Sequence, residues 1–280
     1  MSLIETVSKP HDRPLMVTIC GDSGLGKTTL ACTFPNPIVI RAEDGLQAIP
    51  SANRPDAFPV VGSADDLWKQ LTALIHEPHD YKTCVIDSVT ALERMFVADV
   101  LAQDPKARSI NQALGGYGAG VAAVAAMHNR VRKAAGLLND KRGMHVVFVA
   151  HADVETIRPP DGDDYMRYSL RLPPKSLPPY VDDVDVVGFL RLVSYAKGDD
   201  GERKRVVSTG DRELVVHAVA SNVSKNRFGI EEPLECPRGK NPLAGLVPGL
   251  IVQDDTIKGG EDPAFDWGDK KTRKTKEAAE

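Results

Sequence analysis

The sequence has no apolar run approaching the roughly 18 residues that cross a bilayer, and its amino terminus lacks the basic-then-apolar pattern of a secretion signal. No membrane contact or export is expected. Cysteine is scarce: Cys20, Cys32, Cys84 and Cys236 include no C-x-x-C pair, which removes the usual signature of a zinc site or redox dithiol. Cys20 and Cys84 lie in apolar runs and read as small buried hydrophobes, suited to a reduced cytoplasm. An excess of either charge is also missing. With 35 Lys and Arg against 39 Asp and Glu, the chain carries no overall basic field, so a nucleic acid would have to be held by local basic loops. No internal repeat is apparent.

What is present is a chain of 280 residues, 42% hydrophobic, enough for one catalytic domain with a sizeable core and a tail. Composition divides it into an arm (1–14), a core (15–230), an extension (231–252) and a charged, disordered tail (253–280). Strands are expected at 15–20, 37–40, 83–86 and 144–150, continuous apolar runs separated by helices. Unalternating strands of this kind build a parallel sheet covered on both faces. Ser63 and Asp66 mark a helix start, and a long helix is expected over 119–139. Residues 152–183 read as an extended loop or hairpin, and strands return at 184–193, 203–209 and 212–220, the last two as a hairpin.

Residues Gly21-Asp22-Ser23-Gly24-Leu25-Gly26-Lys27-Thr28 fit G-x-x-x-x-G-K-[ST] between an expected strand and helix, the context that gives this pattern meaning. Its glycines let backbone N–H groups turn toward phosphates, Lys27 reaches the β- and γ-phosphates, and the Thr28 hydroxyl ligates Mg²⁺. Thr29 completes the expected nucleotide contacts, and ATP with Mg²⁺ is the expected cofactor pair. Asp87 ends an apolar strand where its carboxylate can organise the magnesium shell; it could equally cap the next helix, as could Ser88. Glu43 follows the second strand at the same sheet edge and is the candidate for orienting or deprotonating the attacking water, with Asp44 as the alternative. His151 ends the fourth strand in the same manner and is the candidate γ-phosphate sensor.

Taken together, these pieces resemble the RecA-like ATPase superfamily. The segment "CVIDSVTALE" is similar to that family's metal-binding strand, "VIRAEDGL" lies where it carries a catalytic glutamate, and "VVFVAH" occupies its sensor strand, with His151 in place of the usual glutamine. More narrowly, "GDSGLGKTTLACTFPNPIVIRAEDGL" and "SKNRFG" look like phage Sak4-type proteins, ATPases linked to single-strand annealing and recombination. The resemblance implies an α/β fold with a RecA-like P-loop core, a mostly parallel central sheet flanked by helices, a C-terminal antiparallel hairpin and a flexible tail. It also implies that Lys225 and Arg227 reach a neighbouring subunit's γ-phosphate, which suits cations at i and i+2 of an extended backbone facing one side. The location would then be the host bacterial cytoplasm.

By the same resemblance, single-stranded DNA would lie along 104–118 and 152–178, on Tyr117, Arg158, Arg167, Arg171 and Lys175, with Tyr165 and Tyr168 available for stacking. The expected function is ATP-dependent recombination or annealing on single-stranded DNA by a homo-oligomeric ring or filament, with a single-strand-binding protein as a further candidate partner. The alternatives are a hexameric helicase motor, disfavoured because 14 residues before the first strand leave no room for a collar domain, and a nucleotide-switched adaptor for replication proteins.

Overall fold

A computed structural model describes Val7 and residues 12–197 and 205–250; the expected tail at 253–280 and most of the 1–14 arm lie outside these residues. In chain order the strands are β1 (Met16–Gly21), β2 (Pro37–Arg41), β3 (Asp56–Ala57), β4 (Thr83–Asp87), β5 (His145–Ile157), β6 (Tyr165–Leu170), β7 (Val186–Lys197), β8 (Arg205–Val215) and β9 (Leu234–Glu235). The α-helices are α1 (Lys27–Ala31), α2 (Ala64–His76), α3 (Val89–Gln103), α4 (Ala119–Arg142) and α5 (Pro178–Val181).

The central sheet runs β3-β2-β4-β5-β1-β7-β8-β9. It is parallel from β3 through β7, and β8 and β9 are antiparallel additions at one edge. The expected α/β fold, mostly parallel with an antiparallel C-terminal pair, is therefore what the chain adopts. Two apolar layers cover the faces. On one, Leu67, Leu71, Phe96, Val124, Val131 and Leu138 of the long helices pack on Ile86, Val146 and Phe148. On the other, Leu30 and Phe34 share a cluster with Val17, Val85 and Val147. Cys236, Leu243, Val247 and Leu250 join that second layer, so much of the segment expected as an extension beyond 230 packs into the core.

Local signals set the helix starts. The Ser63 hydroxyl accepts from the Asp66 N–H and opens α2, and Ser88 does the same for α3 through the Ala91 N–H at 3.2 Å. Because Ser88 takes the capping position, Asp87 is free for other work. Gly143, at φ 64°, ends α4 in the left-handed conformation that glycine adopts without strain.

One expected pairing is corrected. Residues 205–215 form a single strand that pairs with β7, its register shifting between Leu192 and Ser194, so the antiparallel hairpin is β7–β8 rather than 203–209 with 212–220. Gly210, at φ +88°, bends within β8 at a positive torsion, a break that resembles a turn in sequence but is absorbed by the irregularity in the ladder. The 152–183 region resolves partly as a hairpin: β5 runs past the parallel sheet to Ile157 and returns as β6, pairing Val154 with Tyr168 and Glu155 with Arg167.

Candidate active site

Topology brings the expected residues to one edge. Because β5 lies between β4 and β1, its His151 pairs in register with Gly21 on one side, while Asp87 of β4 pairs with Val149 on the other. Asp87 also stands opposite Arg41, just before Glu43. Four chain segments separated by many residues thus converge at the carboxyl ends of parallel strands.

In the glycine-rich loop, Gly24 and Gly26 have φ of 81° and 86°, torsions that side chains other than glycine seldom adopt. Asp22, Ser23 and Gly24 are exposed, whereas Leu25, Gly26, Thr28 and Thr29 are half-buried. Lys27 is buried; its ammonium donates to the Asp22 carbonyl at 2.8 Å and lies 3.5 Å from His151 Nδ1. Burial lowers its pKa, an effect opposed by the nearby Asp87 and Glu43 carboxylates. A cation held under the loop in this way favours an anion above it.

Thr28 Oγ1 donates to Asp87 Oδ2 at 2.6 Å. Asp87 is only 3% exposed, and burial raises its carboxyl above the usual range. A Cβ at Gly45 would stand 3.3 Å from both Asp87 Oδ2 and Thr28 Oγ1, so glycine keeps this pocket open. One hydroxyl, one buried carboxylate and room beside them suit Mg²⁺, which takes few protein ligands and fills its shell with water and phosphate oxygens. Thr28 and Asp87 would hold the ion, directly or through its waters, and it would neutralise charge on the phosphates.

Glu43 and Asp44 separate cleanly. Glu43 Oε1 lies 2.9 Å from His151 Nε2, inside the cluster, and Glu43 Oε2 is 3.8 Å from Arg94. Asp44 instead pairs with Arg41 at 3.2 Å. The hydrogen bond from His151, aided by Ser88 and Arg94, outweighs burial and pulls the Glu43 carboxyl down to about 2, so it is ionised throughout the neutral range. The His151 backbone N–H donates to Thr90 Oγ1 at 3.0 Å, and the ring Nδ1 stands 3.3 Å from Ser23 Oγ. Replacing Glu43 with Gln should keep the shape, retain nucleotide affinity and lower the turnover number by about 10²–10⁴. Turnover near the wild-type rate would show that Glu43 is not the group handling the attacking water.

Lys225 and Arg227 lie elsewhere. The backbone of Lys225 pairs with Val187, near the amino end of β7 and away from the phosphate loop. Lys225 donates to the Asp182 carbonyl at 2.8 Å, and Arg227 approaches the buried Asp185 at 3.9 Å. Both cations face the 182–185 segment, as expected for i and i+2, but within one chain they are at the opposite edge from Lys27. Burial and the adjacent Arg227 charge lower the Lys225 pKa.

The loop residues also have defined places. Tyr117 is fully exposed at a positive φ of 50°. A Cβ at Gly118 would lie 3.9 Å from Lys175 Nζ, which sets the two loops side by side. Arg158 pairs with Asp164 at 3.3 Å, Arg167 with Glu155 at 2.7 Å, and Arg171 donates to the Ala152 carbonyl at 2.8 Å. Their positive charge is largely answered within the hairpin. Two arginines that no local pattern marks also reach the site: Arg212 of β8 donates to the Leu25 carbonyl at 2.6 Å, and Arg238 lies near Gly26.

No helix among the described residues is long and apolar enough to cross a membrane. A family model described as an AAA domain matches residues 13–228, which takes in every one of the converging segments. A curated relative, the SPbeta prophage-derived uncharacterized protein YorG of Bacillus subtilis (strain 168), is 27% identical over 197 residues, 69% of this chain. The chain spans about half the length of that relative, 54%.

Proposed function

The chain belongs to the AAA-domain family of P-loop ATPases, and from that premise we propose that it is a RecA-like, Sak4-type ATPase of phage recombination that binds single-stranded DNA as a homo-oligomer and hydrolyses ATP between subunits. The observation that carries the reading is the placement of Lys225 and Arg227 at the edge of the sheet opposite the loop that holds Lys27. Cations there cannot serve their own nucleotide, but they can serve one bound at the carboxyl edge of a neighbour. The prophage origin of the relative accords with a phage role.

In this mechanism Lys27 and the backbone N–H groups of residues 22–28 hold the β- and γ-phosphates, while Thr28 and Asp87 position Mg²⁺. Glu43 orients the attacking water. Its hydrogen bond to His151 depresses its basicity, so a γ-phosphate that draws His151 toward itself returns basicity to the carboxylate, coupling recognition to hydrolysis. DNA would lie along the adjoining loops. Tyr117 and the exposed Tyr165, Met166 and Tyr168 offer stacking surface, and the exposed Arg158–Asp164 pair is weak enough to be exchanged for a phosphate contact.

The test is ATP hydrolysis and particle mass, each measured with and without a single-stranded oligonucleotide. Stimulated hydrolysis with a larger particle is expected. Loss of all DNA response would overturn the recombination reading, and unwinding of a forked duplex would instead identify a helicase. Replacing Tyr117 with Ala should weaken oligonucleotide binding about tenfold, in line with one lost stacking contact, without changing thermal stability. Unaltered affinity would remove that loop from the DNA path.

A further inference from the structure

The arginines beside the phosphate loop are not used by the mechanism above. Arg212 is 8% exposed, and its bond to the Leu25 carbonyl engages one of the five N–H donors of the guanidinium. Among the described residues no carboxylate lies within 4.0 Å of it. Arg238 comes to the same place from the segment after β9: a Cβ at Gly26 would stand 2.6 Å from Arg212 Nη1 and 3.8 Å from Arg238 Nη1. Glycine at position 26 therefore provides the positive torsion and also admits a guanidinium against the loop.

Arg212, buried against a phosphate-binding turn with no carboxylate of the described residues beside it, is stabilised by an anion in the site, and Arg238 converges on the same turn. Burial lowers the Arg212 pKa, and the Arg238 charge acts in the same direction. The flank they occupy indicates which part of the ligand they face. Glu43, Asp87 and His151 come from β2, β4 and β5 on one side of β1, whereas Arg212 comes from β8, beyond β7 on the other side. The reacting end of a triphosphate must sit over the first flank, where the water-handling groups are. A linear polyphosphate then presents its nucleoside end to the second. We infer that Arg212 and Arg238 form a second cationic wall of the nucleotide site, gripping the α-phosphate and ribose while Lys27 serves the β- and γ-phosphates. The planar guanidinium fork matches a phosphate or a pair of ribose hydroxyls better than a lysine would.

This inference rests on the nucleotide-binding reading of the loop, and the experiment separates the two. Dissociation constants for ATP, ADP and inorganic pyrophosphate would be measured by calorimetry with Mg²⁺ on the full chain, on R212Q, on R238Q and on K27A. Each arginine variant should bind ATP and ADP about tenfold more weakly, the loss of one charge-assisted contact, and bind pyrophosphate within twofold of wild type. Pyrophosphate occupies the loop without a nucleoside, so an equal loss of its affinity would mean that the arginines merely prop the loop, and the inference falls. Unchanged ATP and ADP affinities in both arginine variants, with affinity lost in K27A, would overturn the inference and leave the nucleotide site standing. A wild-type chain that binds no nucleotide would overturn both. If R212Q does not fold, R238Q decides alone, since Arg238 is exposed.

Discussion

Lys27→Ala should lower nucleotide turnover by at least about 10²–10³ and weaken ATP more than ADP, because Lys27 supplies the buried positive charge under the β- and γ-phosphates. Removing it also leaves Asp87 and Glu43 next to an incoming polyanion with their nearest buried cation gone. The repulsion would fall on the γ-phosphate, the end of the nucleotide that the proposed mechanism sets over Asp87 and Glu43. Steady-state hydrolysis with direct titration of both nucleotides measures the effect. Wild-type turnover in this variant would take the glycine-rich loop out of the active site.

Arg227→Ala carries the other large effect: hydrolysis about 10³–10⁵ slower, with ATP affinity kept. The size follows from a guanidinium that stabilises charge only as the phosphoryl group transfers, which in the proposed function a neighbouring subunit would supply. Within one chain, Arg227 stands by Asp185 at the amino end of β7, where Asp185 also accepts from the Met16 N–H at 2.9 Å and pairs with Arg13. This anchoring holds Arg227 at the amino end of the parallel strands, where the proposed neighbour would approach. Mixing the Arg227→Ala and Lys27→Ala chains should restore part of the activity, because some pockets then combine an intact loop with an intact arginine. Normal hydrolysis by Arg227→Ala alone, or no recovery in the mixture, would show that the site is complete within one chain.

The two arginine sets illustrate what local reading can and cannot find. The i, i+2 spacing of Lys225 and Arg227 is a pattern in itself, and both cations do face one segment, 182–185. Arg212 has no such pattern: 187 residues separate it from Leu25, and nothing in its own strand distinguishes it from a surface cation. The choice between Glu43 and Asp44 was similarly open in sequence, since both follow β2. Packing separated them by turning Asp44 to Arg41 and Glu43 to His151. The hairpin at 203–220 failed for a related reason, as Gly210 supplies the torsion of a turn in a strand that continues through it.

By itself the sequence determined the elements whose causes are local: unalternating apolar strands, helices capped by Ser63 and Ser88, and a loop whose glycines accept positive φ. Those depend on torsions and side-chain periods that a few neighbouring residues decide. Only the tertiary structure decided that β5 runs between β4 and β1, which brings His151 to Glu43 across 108 positions and sets both beside Lys27. Strand order is chosen by the burial of whole faces against helices, a sum over distant residues, so the contacts that depend on it cannot be read from any single stretch of chain.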